Sequence, residues 1–291
     1  MSSTELRLQV LARHLQTDKA FSHNTLARQS CCVTDVSQLA GPLLQGQVAV
    51  ITGSGQGLAA AAAELFALHG AKVVVTDIDA DKAQQVAVRI RENGGEAHAI
   101  CGDVTTDDFP ERLATGTVKQ FGRIDILLNS AGFHWGGMLH RLSKKRWDAL
   151  LAVHCTAAFR MIQAVAPHMR DAAKKEMQSS DRASPRTIIN VSSTVGLHGE
   201  VGQVNYSAAK AALIGLTKTV AKEWGPFNVR SNAIAYGWIN TRLTQVGTAL
   251  HLNNGLPDAH GTHFMDPHEL HNHAEFLAHR PQIWHQDFYG C

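Results

Sequence analysis

Val48-Ala49-Val50-Ile51-Thr52-Gly53-Ser54-Gly55-Gln56-Gly57-Leu58-Ala59 is the stretch on which the fold turns. An apolar, largely β-branched run reads as a buried strand, and the glycines after it read as a tight turn. Leu58 to His69 follows as a helix closed by Gly70. Gly53 and Gly57 let the backbone turn sharply and approach a pyrophosphate, which the free N–H groups of the helix start then stabilise. Ser54, Gln56 and Leu58 lie in the same turn and share that expectation. Asp77 ends the next strand, Lys72 to Thr76, at the distance where a carboxylate accepts hydrogen bonds from an adenosine ribose. A carboxylate there repels a 2′-phosphate, so the expected cofactor is NAD, with NADP less favoured.

Outward from this turn, strand and helix alternate. A helix from Ala80 to Glu92 ends at Gly94-Gly95. Ala97 to Cys101 and Ile124 to Leu128 read as the third and fourth strands. Helices fill Lys144 to Met169 with a break at Pro167, and Lys174 to Arg186 reads as a polar insert. Thr187 to Val191, a helix from Tyr206 to Trp224, and Val229 to Ala235 complete the pattern. Buried strands joined by crossover helices predict an α/β fold, a single-domain doubly wound parallel sheet (Rossmann fold). The divisions expected are an N-terminal extension (1–43), a dinucleotide-binding catalytic domain (44–245) and an atypical C-terminal tail (246–291).

A second pattern carries chemistry. Tyr206 and Lys210 stand four residues apart, on one helical face, with Ser193 upstream. An ammonium beside a phenol favours the phenolate and lowers its pKa toward the working pH, as a general acid/base requires. A hydroxyl at a strand's carboxyl end polarises a carbonyl. The expectation is hydride transfer between a nicotinamide and a carbonyl or secondary alcohol, with Tyr206 moving the proton.

Several ordered motifs over Gln47 to about Leu243 resemble the short-chain dehydrogenase/reductase superfamily, and most of all its 3-oxoacyl-(acyl-carrier-protein) reductase-like branch. They are Thr52-Gly53-x-x-x-Gly57, Asp103-Val104, Leu128-Asn129-Ser130-Ala131-Gly132, Asn190-Val191-Ser192-Ser193, Gly202-Gln203-Val204-Asn205-Tyr206-Ser207-Ala208-Ala209-Lys210 and Asn232-Ala233-Ile234-Ala235-Tyr236-Gly237. The resemblance implies that Asp103 and Val104 lie near the adenine. It has Asn129 supporting the central sheet and cofactor, with Ala131, Gly132, Gly237 and Thr241 along the nucleotide. It makes Ser193 the hydrogen-bonding partner of the substrate oxygen and Lys210 the holder of the nicotinamide ribose. It also implies a homo-oligomer paired through the long helices and, as one candidate substrate, an acyl thioester.

The chain departs from the family pattern at Ala59, Ser130, Tyr236 and His154. Tyr236 takes the place of a usual proline. His154 stands where the family often has an Asn that helps hold a water leading protons away from the lysine. An imidazole donates and accepts, so His154 is a candidate for that relay, the alternative being an interior packing histidine.

Composition narrows the rest. The 291 residues carry a formal net charge of +2, which argues for neither nucleic acid nor an acidic surface as partner. The five cysteines show no metal or redox spacing and suit a reducing compartment. No apolar run in the sequence approaches membrane-spanning length. The expected location is the cytoplasm; Leu6 to Leu15 and the basic residues after it leave a mitochondrial transit peptide as the alternative.

In the tail, Asp266-Pro267-His268-Glu269-Leu270 predicts a helix start. The expected last strand with its Gly-Gly ending is missing or altered, which would expose the sixth strand as an edge. Many of the 17 histidines crowd here, including His268, His271 and His273, but their spacing fits no common metal site. Phe133, His134, Trp135 and Trp238 are candidates for an apolar substrate pocket. The runner-up function is a catalytically weak nucleotide-binding or partner-binding relative.

Overall fold

The computed structural model describes residues 42–180, 182–237, Ile239 and the strand Ile283–His285. Nearly all of the N-terminal extension, Trp238, Thr241 and the expected tail helix lie outside the described residues.

The strands are β1 (Val48–Thr52), β2 (Lys72–Thr76), β3 (Glu96–Ala99), β4 (Ile126–Asn129), β5 (Arg186–Ser193), β6 (Val229–Tyr236) and β7 (Ile283–His285). They form one sheet in the order β3-β2-β1-β4-β5-β6-β7, and every pair is parallel. The order reverses between β1 and β4, which opens the crevice where such sheets bind ligands. Helices α1 (Gly57–Leu68), α2 (Ala80–Glu92) and α3 (Phe109–Phe121) cross between the first four strands.

Strand side chains alternate between two faces, so two cores form. Val50, Leu127 and Ile188 pack with Phe109, Leu113 and Met161 on one side of the sheet. Ala49, Ile51, Val73 and Val75 pack with Phe66, Val86 and Ile90 on the other.

The structure alters three expectations. The helix α3 is not among the elements expected from the sequence, although Pro110 in its first turn and the left-handed Gly122 at its end are ordinary start and stop signals. Pro167 does not break its helix. From Lys144 to Ser179 the chain is one helix of 36 residues, built from α4 (Lys144–Leu151), α5 (Ala157–Ala166) and α6 (Ala172–Ser179). Two π-helical turns, Ala152–Thr156 and Pro167–Asp171, join these segments. Proline lacks an N–H and crowds the preceding turn, and a widened turn relieves that crowding. The polar segment after it is therefore helical as far as Ser179. By length and composition this helix is apolar enough to cross a membrane, yet its Met161, Ile162, Val165 and Met169 are core residues.

The third alteration concerns the last strand. β7 is present in short form, pairing Ile283, Trp284 and His285 with Ala233, Ile234 and Ala235, so β6 is not an open edge along those residues.

Candidate active site

The β1–α1 turn is shaped by what it must approach. Gly53 has φ +70, and a Cβ there would lie 2.7 Å from the Ala131 Cα, so no side chain fits. The Thr52 hydroxyl oxygen accepts the Ser130 and Ala131 amides at 3.0 and 3.1 Å, tying β1 to the loop after β4. Asp77 accepts the Gly55 amide at 3.0 Å and the Asp79 amide at 3.1 Å, so one carboxylate fixes both the glycine turn and the turn after β2. Helix α1 has no acidic residue in its first turn, and its open N-terminus faces the cavity beside Gly57 and Leu58.

That cavity has a volume of about 860 Å³. One end is lined by Gly53, Gln56, Gly57, Leu58, Asp77, Asp103 and Val104, and the lining residues from Gly53 to Val104 include no lysine or arginine. The other end is lined by Ser193, Tyr206, Lys210 and His154, with Ala131, Gly132 and Gly237 between or beside them. Free helix amides, side-chain-free glycines and a ribose-accepting carboxylate match a dinucleotide in charge and shape.

The residues expected to be catalytic come from three elements. Ser193 ends β5, and α7 (Thr194–His198) starts directly after it. Tyr206 and Lys210 sit in the first turns of α8 (Val204–Trp224). His154 sits in the π-helical turn before α5. The Ser193 hydroxyl acts on the Tyr206 phenol, favouring its ionised form. The Lys210 Nζ lies 5.5 Å from the centre of the Tyr206 ring and donates to the Val191 carbonyl at 2.6 Å. The His154 ring stands edge-on to Tyr206 with centroids 5.1 Å apart, and His134 approaches from another side at 6.0 Å.

Asn205 holds this arrangement in place. Its Nδ2 donates to the Trp135 and Arg146 carbonyls at 3.2 and 3.1 Å, and its Oδ1 accepts the Tyr206 amide at 3.0 Å. Its place next to Tyr206 was visible in the sequence. Its partners, 59 and 70 residues away, were not.

Burial governs the protonation states. It pushes the Tyr206 phenol up to about 12, against the opposing pull of the Ser193 hydroxyl, and drives Lys210 down to about 7. Burial outweighs the lowering of the phenol expected from Lys210. Both groups lose water, and the ammonium is engaged by a backbone carbonyl. His154 is held well below its ordinary value by burial and by Lys210. Its Nε2 lies 2.7 Å from the Phe133 carbonyl, so the neutral ring donates there, and a Cβ on Gly132 would meet its Cε1 at 2.1 Å.

Two residues expected at the cofactor lie outside the cavity lining. Ser54 is fully buried and bridges β1 to β2, donating to the Ile51 carbonyl at 2.7 Å and accepting the Thr76 amide at 3.0 Å. Asn129 lies behind the site and donates to Asn190, which donates to Thr217, linking β4, β5 and α8. A turn this tight needs its hydroxyl for itself, and a sheet buried on both faces needs its amides paired. Among the described residues, no three histidine, cysteine or acidic side chains come together as metal ligands.

This sheet, crevice and Ser–Tyr–Lys group define a nicotinamide-dependent oxidoreductase site. The family model described as short chain dehydrogenase matches residues 47–249, and the chain belongs to that family. It is similar to the 3-oxoacyl-(acyl-carrier-protein) reductase of Thermotoga maritima, 37% identical over 202 residues, 69% of this chain and 78% of that one. The corresponding reductase of Synechocystis is 37% identical over 239 residues, 82% of this chain and 91% of that one. Among solved structures, a 3-ketoacyl-(acyl-carrier-protein) reductase from Brucella melitensis complexed with NADH superimposes with a TM-score of 0.69. It is 28% identical, covering 80% of this chain and 91% of that one. The protein is an NAD(P)-dependent oxidoreductase acting between a carbonyl and a secondary alcohol, which disfavours the catalytically weak alternative.

Proposed function

We propose that the enzyme prefers NAD(H) and reduces a 3-oxoacyl thioester or a closely related 3-oxo compound. The observation that carries the cofactor preference is Asp77, which lines the adenosine end of the cavity, where the lining residues from Gly53 to Val104 include no lysine or arginine. A 2′-phosphate there would meet the negative charge of Asp77. The Brucella melitensis relative complexed with NADH supports the same reading. The substrate class rests on the two reductases to which the chain is similar.

In this reading the glycine turn and the α1 N-terminus hold the pyrophosphate, Asp77 the adenosine ribose, and Asp103 and Val104 the adenine. Lys210 holds the nicotinamide ribose. When bound, the nicotinamide supplies the hydride at its C4. Ser193 positions the substrate carbonyl oxygen, and Tyr206 delivers the proton to it. His154, neutral and in contact with the tyrosine ring, serves the proton path on which Tyr206 and Lys210 are recharged. The exposed Phe159 and Met177 on the long helix support pairing of two copies through that helix. The free thiols of Cys101 and Cys155 suit the cytoplasm.

Fluorescence titration with NADH and NADPH tests the cofactor preference. The reading expects NADH to bind at least about tenfold tighter, and equal or reversed affinities overturn it.

A further inference from the structure

Tyr236 is the last residue of β6 and pairs in register with Ser193, the last residue of β5. Both line the large cavity, together with Tyr206. The backbone of Tyr236 is fixed by the Thr194 hydroxyl, which donates to its carbonyl at 3.3 Å. Its phenol has no such anchor: no described residue gives its oxygen a hydrogen bond. The residue is half-buried and its oxygen is not sealed from solvent, so it is open to a partner from the cavity. The cavity is where a partner for Tyr236 can arrive.

We propose that Tyr236 is a specificity-determining residue whose phenol donates a hydrogen bond to a second oxygen of the substrate, close to the carbonyl gripped by Ser193 and Tyr206. The inference rests on the carbonyl-reducing role of this site. Ser193 and Tyr236 start from adjacent strands, about 4.8 Å apart, so the two acceptors need only a few bonds between them. A 3-oxo ester or thioester carries such a pair, and a simple ketone does not. Burial pushes the phenol up to about 12, which keeps it protonated, and hence a donor, at neutral pH. A proline at this position offers no donor.

The test compares KM for ethyl acetoacetate and for 2-hexanone in the wild type and in Tyr236→Phe, both saturated with reduced nucleotide. The proposal expects the ester-to-ketone KM ratio to rise about fivefold in the variant, the scale of one neutral hydrogen bond. A ratio that stays within about twofold overturns it. Calorimetric binding of the ester to Tyr206→Phe, with and without Tyr236→Phe added, reads the same bond without turnover. There the proposal expects roughly fivefold weaker binding in the double variant, and equal binding overturns it. Wild-type protein that turns over neither compound sinks the carbonyl-reducing reading instead, and the binding comparison still decides Tyr236.

Discussion

Lys210 donates to the Val191 carbonyl at 2.6 Å while its ammonium lies 5.5 Å from the centre of the Tyr206 ring. One side chain therefore touches the sheet and neighbours the proposed proton donor at once, at the cost of burying a cation. The folded pKa falls to about 7, whereas an unfolded lysine titrates near 10.4. Between those values the unfolded chain binds the extra proton, so stability rises with pH there. Below about pH 7 both states are charged and the burial penalty is complete. Lys210→Met should raise the melting free energy by roughly 2–4 kcal/mol near pH 6, with the gain shrinking toward pH 10. Thermal melts across that range check it; a variant less stable than wild type at pH 6 contradicts it.

His154 titrates on the acid side. Burial and the nearby Lys210 depress its folded pKa well below 6.5. The stability linked to its neutral form is complete above about pH 6.5 and is lost as pH falls below that value. His154→Asn removes the titration, so its stability should decline less than wild type between about pH 6.5 and pH 4.5. Parallel denaturant midpoints for the two proteins across that interval would show that the imidazole is not the group responsible.

Glu176 and Arg186 tie α6 to β5 through paired contacts at 3.1 and 2.5 Å. Arg186 has a side-chain exposure of 2%, Glu176 of 33%. Hydrogen bonds from Arg186 depress the Glu176 carboxyl to about 2. Its contribution is present above the unfolded value, near 4.3, and is lost as pH falls toward 2. Glu176→Gln leaves a buried guanidinium without its counter-charge, and discounting for the exposed half of the pair gives a cost of about 2 kcal/mol at neutral pH. Urea unfolding checks this; a cost under about 0.5 kcal/mol would mean that water replaces the carboxylate.

Much of this site was legible in the sequence because its parts are local. The glycine turn between β1 and α1, Asp77 directly after β2 and the Tyr206–Lys210 spacing in α8 each occupy a short stretch of chain, and residues of each line the cavity. What was not legible depended on contacts between distant segments. Ser54 looked like part of the nucleotide turn, but its hydroxyl is consumed bridging β1 to β2. Asn205 looked like filler before Tyr206, yet it ties α8 to two backbone carbonyls far upstream. Pro167 read as a break because proline loses one helical hydrogen bond, and a π-helical turn absorbs that loss. The direction of the Tyr206 and Lys210 shifts followed from burial, which spacing does not report.

The proposed role of Tyr206, moving the proton in a nicotinamide-dependent carbonyl reduction, is decided by steady-state oxidation of NADH with ethyl acetoacetate in wild type and in Tyr206→Phe. The expected result is a fall in kcat of about 10²–10⁴ with NADH affinity within about twofold of wild type. A Tyr206→Phe enzyme that keeps more than about a tenth of the wild-type kcat would contradict it.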